Sequence, residues 1–140
     1  MSDKFFLDTN LFVYLFDQSA PTKAMISRKL MNVALDSGKG IISYQVVQEF
    51  FNVARRRFAE PMRPDQAEQL LSTMFHRLWT VQPSSALYLR ALRLLDRFHL
   101  QWYDAVIVAG AIEGECRILY TEDLQHGQEI DGLEVQNPFL

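Results

Sequence analysis

Cysteine is nearly absent from this chain. Cys116 stands alone among 140 residues, which excludes an intrachain disulfide and fits a reducing, cytoplasmic setting. No uninterrupted apolar run approaches the roughly 20 residues of a membrane-crossing helix, so no membrane association is expected. The opening Met1-Ser2-Asp3-Lys4 leads directly into structured-looking sequence, and no signal peptide is visible. The three histidines, His76, His99 and His126, lie far apart and show no zinc-ligand spacing. Positive charge is not in excess. Fourteen Lys and Arg against 17 Asp and Glu leave a net charge of −3, which argues against a protein that coats nucleic acid by charge alone. Repeats, linkers and low-complexity segments are also missing. The 49% hydrophobic and 22% charged contents then describe one ordinary globular domain over residues 1–140.

The most informative stretch is Leu100–Ile112. From Ala105 to Ile112 every residue is apolar or glycine, and a helix apolar all round is a buried helix. One charged residue, Asp104, stands at its start. A carboxylate buried there without a partner is costly, because buried charges are normally paired or bound to metal.

In chain order, Lys4–Leu7 reads as a buried strand stopped by Asp8-Thr9-Asn10. Leu11–Phe16 reads as a short helix, and Thr22–Asp36 as a longer one that ends at Ser37-Gly38-Lys39-Gly40. Ile41–Ser43 is a second strand, and a helix begins near Ser43. Gln45, Gln48, Glu49 and Asn52 fall along one side of that helix, with Val46, Val47, Phe50, Phe51 and Ala54 on the other. Arg55, Arg56 and Arg57 close it with charge that suits its C-terminal end. Pro64 opens a helix to about Leu78, Trp79–Val81 is strand-like, and Ser84 caps a further helix before the buried one. Cys116–Thr121 and Leu133–Val135 complete the strands, with a loop around Gly127.

This alternation predicts an α/β domain with a short, mainly parallel sheet flanked by helices on both faces. Sites in such sheets form beyond the carboxyl ends of the strands. Asp8 and Asp123 each follow a strand, Glu49 lies in the helix after the second strand, and Asp104 opens the buried helix. All four can meet at one edge. Each also has an ordinary reading: Asp8 as a turn or helix cap, Glu49 as a solvated surface acid, Asp104 as a helix-dipole partner, Asp123 as a loop acid. Glu122, beside it, reads as solvent-facing. The significance lies in the four acids occurring together.

Four segments also resemble the PIN-domain ribonucleases, in particular the toxin half of a prokaryotic VapBC-type toxin–antitoxin pair. They are Phe5-Phe6-Leu7-Asp8-Thr9-Asn10, Ser43 to Val53 around Glu49, Trp102-Tyr103-Asp104-Ala105, and Leu119-Tyr120-Thr121-Glu122-Asp123-Leu124. The closing Gly132–Phe139 is similar to the usual family ending. The resemblance implies a metal-dependent endoribonuclease in which Asp8, Glu49, Asp104 and Asp123 are the catalytic, metal-holding quartet. Thr9, Asn10 and Thr121 would be polar helpers. Mg2+, with Mn2+ as a substitute, suits such a set, being a hard cation that takes oxygen ligands and keeps several waters. It would lower the pKa of a bound water and neutralise charge developing on the phosphate. Two carboxylates about 5 Å apart repel by roughly 3 kcal/mol at an effective dielectric of about 20, a burden that a divalent ion relieves. A net acidic chain can then act on RNA, because its positive charge arrives as the bound cation.

RNA also needs charge along its path, for which Arg55, Arg56, Arg57, Arg90, Arg93 and Arg97 are candidates alongside plain solvated faces. Tyr14 and Trp102 can stack on bases, although core packing explains them more simply. The resemblance further implies a cognate antitoxin that blocks the acidic pocket, and a homodimer, with Thr22–Asp36 and the segment after Pro64 as interface candidates. Two alternatives stay within the fold: an RNA-processing nuclease without antitoxin, and a catalytically inactive binding module. A phosphotransfer reading with Asp8 as nucleophile expects a second aspartate where Asn10 stands, and leaves Glu49 without a role.

Overall fold

Phe5–Leu7 form the first strand, β1, with Phe6 and Leu7 fully buried. In the computed structural model, described over residues 2–140, this strand is central. The remaining strands are β2 (Gly40–Ser43), β3 (Trp79–Val81), β4 (Ile118–Tyr120), β5 (Glu129–Ile130) and β6 (Leu133–Gln136). Their order across the sheet is β3-β2-β1-β4-β6-β5, parallel throughout except for the β5–β6 pair. The chain leaves β1 toward β2 and β3 on one side and returns to β4 on the other. The carboxyl ends of β1 and β4 therefore flank a topological switch point, where ligand sites of open parallel sheets form. Asp8 N donates to Tyr120 O at 3.0 Å, holding those two ends together.

The helices are α1 (Thr9–Tyr14), α2 (Pro21–Ser37), α3 (Tyr44–Arg56), α4 (Pro64–Leu70), α5 (His76–Leu78), α6 (Ser85–Phe98) and α7 (Trp102–Glu113). Helix α7 is buried from Ala105 to Ala111 as its composition demands, packed between α6, α3 and the strands β2 and β4. Helix α2 stops at Gly38, which takes the left-handed φ of +71° that glycine adopts without strain. Ser84 Oγ accepts from Leu87 N at 3.1 Å and caps α6 as its sequence suggests.

Two elements depart from the sequence reading. The helix expected over 64–78 is interrupted by a π-helical turn, Leu71–Phe75. There the hydroxyls of Ser72 and Thr73 donate back to Glu68 O and Gln69 O at 2.8 and 2.9 Å. Such back-bonding competes for the carbonyls of the helical ladder and bends helices. Phe75, at the end of the turn, is fully buried against Phe12 and Phe50 with ring centroids 4.9 and 5.1 Å apart. The loop around Gly127 also hides a strand: β5 and β6 form a hairpin across Asp131 and Gly132, whose φ angles of 50° and 86° match the type I′ turn that Asp-Gly favours.

Apolar surface remains uncovered on several helices, among them α2 and α6. Met25 and Val33 are half-exposed on α2, and Tyr88, Leu89 and Leu92 are exposed on α6. A groove of about 1170 Å³ also opens beside the ends of α1 and α3 and against α4, lined by Val13, Phe16, Val53, Phe58, Met62 and Leu70 among others. No helix among the described residues is long and apolar enough to cross a membrane.

Candidate active site

Asp8 ends β1 and is the N-cap of α1. Both of its carboxylate oxygens are occupied: Oδ1 accepts from Thr9 N at 2.6 Å and Oδ2 from Thr121 Oγ1 at 2.7 Å. The side chain is buried, and burial pushes its pKa up to about 7. The Thr121 and Thr9 donors work against that rise, while the charges of Asp123 and Glu49 add to it. The capping role and the site role thus coincide in one residue.

Glu49 is the sixth residue of α3, four residues after Gln45 and on the same helix face. Its Oε1 accepts from Thr9 Oγ1 at 3.1 Å, so the residue after Asp8, the first of α1, is tied to α3. Half-buried, Glu49 is raised above the ordinary glutamate value chiefly by desolvation. The Thr9 and Gln45 side chains draw it down, and Asp104 and Asp123 push it up. It is not the solvated surface acid that its helix face alone suggests. Gln45 departs further from that face. It is 4% exposed, and its Nε2 donates to Tyr103 O at 3.0 Å, tying α3 to the first turn of α7. No polar-face pattern separates it from Gln48 and Asn52; the only clue is its position one helical turn before Glu49.

Asp104 lies in that first turn of α7, partly buried. Among the described residues it has no hydrogen-bond or ion-pair partner, and desolvation followed by the Asp123 charge holds its pKa above the aspartate range. Asp123 follows β4 in an irregular loop and is exposed. Its Oδ2 accepts from Asn10 Nδ2 at 3.1 Å, and its backbone N donates to Thr121 Oγ1 at 3.0 Å. Asn10 Nδ2 also reaches Thr121 Oγ1 at 3.5 Å. Thr9, Asn10 and Thr121 therefore stitch Asp8, Glu49 and Asp123 into one hydrogen-bonded web. Asp104 joins it only through its charge.

None of the four acids is ion-paired among the described residues. Three of them are raised in part by the charge of another of the four, so ionising all of them together is costly without a compensating cation. Asn10 Oδ1 is buried and has no partner. The donor set is all oxygen, which fits a hard divalent cation. Among the described residues no three His, Cys, Asp or Glu side chains are gathered closely enough to enclose one ion.

Other expectations resolve differently. Glu122 is not solvent-facing: it accepts from Tyr14 Oη at 2.5 Å and from Lys23 Nζ at 3.0 Å. Trp102 is not a core residue but lies at the surface, its ring stacked on Tyr88 with centroids 6.1 Å apart. Tyr14 packs edge-on against Phe139 at 5.2 Å. Arg90 and Arg97 are engaged by Glu113 and Asp131, whereas Arg55, Arg56 and Arg57 are exposed with no carboxylate partner among the described residues.

The same fold recurs among solved structures. A toxin–antitoxin complex from Klebsiella pneumoniae superposes with a TM-score of 0.68 at 20% identity, covering 96% of this chain and 98% of that one. DNA-bound VapBC from Salmonella typhimurium gives 0.68 at 19% identity, covering 97% and 98%. VapC20 of Mycobacterium tuberculosis, a toxin that cleaves the sarcin–ricin loop, gives 0.61 at 17% identity, covering 86% and 90%. No curated protein matches the chain by sequence at a significant level. The model of the PIN domain matches residues 5–128, most of the chain, and on that match the chain belongs to the PIN-domain family.

Proposed function

We propose that this PIN-domain protein is a magnesium-dependent endoribonuclease, the toxin of a type II toxin–antitoxin pair, acting in the cytoplasm. The observation that carries the reading is the acidic cluster itself: four acids, from the end of β1, α3, α7 and the loop after β4, bear on one another, and among the described residues no basic side chain pairs with them. Asp8, Glu49, Asp104 and Asp123 would hold the ion, one or two of them directly and the others through its retained waters, with Mn2+ able to replace Mg2+. When bound, the ion supplies Lewis acidity toward a phosphate and a more acidic water. The chain's own part is placement. Thr121 and Thr9 N fix the two oxygens of Asp8, Thr9 Oγ1 orients Glu49, and Asn10 orients Asp123. The unpaired Arg55, Arg56 and Arg57 offer phosphate contacts for an RNA strand.

RNA as substrate is supported by the VapC20 neighbour, a toxin that cleaves the sarcin–ricin loop. An antitoxin is supported by neighbours that are toxin–antitoxin complexes. An acid-only cleft is complementary to a basic side chain, and the apolar groove beside α4 is surface of the kind that a wrapping segment covers. Homodimerisation draws support from the uncovered apolar residues of α2 and α6. Incubating the protein with total RNA, with and without Mg2+, and mapping the cut ends tests the reading. Discrete metal-dependent ends at a few sites are expected. Intact RNA at every metal concentration would refute it.

A further inference from the structure

Asp123 is the most exposed of the four acids and sits on a loop that no helix or strand ladder secures. Its neighbour Glu122 is held from two separate segments. Tyr14, at the end of α1, donates its hydroxyl to Glu122 Oε1 at 2.5 Å. Lys23, in the first turn of α2, donates to Glu122 Oε2 at 3.0 Å and to Tyr14 Oη at 3.2 Å. The same ammonium lies 4.8 Å from the ring centre of Tyr14 and 5.4 Å from that of Phe139, near the end of the chain. Both oxygens of Glu122 are therefore taken, and the cation that takes one of them is itself seated between two aromatic rings.

We infer that Lys23, acting through Glu122 and with Tyr14, is a positioning residue for Asp123, fixing the loop that presents this acid to the cleft. The inference rests on the nuclease reading given above. Thr121 and Asn10 hold Asp123 from one side, and the Glu122 knot holds its backbone from the other. The Lys23–Glu122 pair is partly exposed, with side chains 41% and 22% accessible, and such pairs add little to stability. Its consequence falls on geometry, since a site must be held within about 0.5 Å to function.

The test uses the variants Lys23→Met, Glu122→Gln and Tyr14→Phe, with Asp36→Asn at the exposed end of α2 as a charge control. Two quantities are read: the affinity for Mn2+ from the spin-resonance signal of the free ion, and the metal concentration giving half-maximal RNA cleavage. Positioning predicts that Lys23→Met and Glu122→Gln both weaken Mn2+ binding about tenfold. Tyr14→Phe follows in the same direction, Asp36→Asn does nothing, and melting temperatures stay near the wild type. A purely electrostatic role moves the two charge variants in opposite directions, because one removes a positive and the other a negative charge; that result overturns the inference. Wild-type Mn2+ affinity in the variants, with cleavage intact in the parent protein, also overturns it and leaves the nuclease reading standing. Weakened binding in the variants of a protein that cleaves no RNA keeps the positioning role and removes the nuclease reading. A parent protein that binds no Mn2+ removes both.

Discussion

Thr121 donates its hydroxyl to Asp8 Oδ2 at 2.7 Å across 113 residues of sequence, in a position closed to solvent. The hydroxyl oxygen of Thr121 in turn accepts from Asp123 N, so one side chain serves the first and the last of the four acids. Replacing it with valine keeps the shape and removes both bonds. Thr121→Val should destabilise the metal-free protein by about 1–3 kcal/mol, the range for leaving a buried polar group short of a partner. It should also raise the Asp8 pKa further, since this donor now lowers it. Urea denaturation measures the first effect, and carboxyl chemical shifts followed against pH measure the second.

Asp104 behaves oppositely. With no hydrogen bond or ion pair among the described residues and a pKa raised by burial and by Asp123, its charge is a burden on the metal-free fold. Asp104→Asn should abolish cleavage while leaving the metal-free melting temperature unchanged or higher. A clear fall in that temperature would identify Asp104 as a structural residue.

The raised acids also set a pH dependence. Asp8 moves from an ordinary 3.8 to about 7, and Glu49 and Asp104 shift in the same direction. Between those limits the folded state holds more protons than the unfolded one, so these groups make stability fall as pH rises. Without metal, the melting temperature should decline from pH 5 to pH 7.5. Mg2+ should restore it more at pH 7.5 than at pH 5, because only ionised carboxylates bind the ion. Calorimetric scans at both pH values, with and without Mg2+, measure this directly.

A fourth expectation concerns the fold alone. Gly40 begins β2 under helix α2, and a Cβ there would stand 2.2 Å from Ala34 Cβ and 2.8 Å from Ala34 Cα. Ala34 Cα is backbone and its Cβ has no rotamer to move into, so the clash has no flexible side chain to relieve it. Gly40→Ala should therefore lower stability by about 1–3 kcal/mol, the usual range for overpacking, as read from the denaturation midpoint.

Much of this arrangement was legible in the sequence because it follows from backbone position. Asp8 and Asp123 stand just past strands, and strand ends of a parallel sheet converge. The all-apolar Ala105–Ala111 had to be buried, which brought Asp104 to the same edge. What stayed hidden depended on side-chain partners. Gln45 looks like Gln48 on a helical wheel until α7 places Tyr103 O within its reach. Glu122 reads as solvated until Tyr14 and Lys23 arrive from distant segments. The π turn needs two hydroxyls to compete with the helical ladder at one place, and periodicity averages over that competition. Strand β5 has only two residues, too short for any alternation to register.

The most direct measurement is the cleavage rate of a defined RNA at saturating Mg2+ by the parent protein and by Asp8→Asn, Glu49→Gln, Asp104→Asn and Asp123→Asn. If the four acids serve one metal ion, each variant should lose about a hundredfold or more in rate, the equivalent of several kcal/mol of transition-state stabilisation, and chelation should silence the parent protein. Cleavage that survives chelation, or that any one of the four variants sustains at the parental rate, would contradict a shared ion.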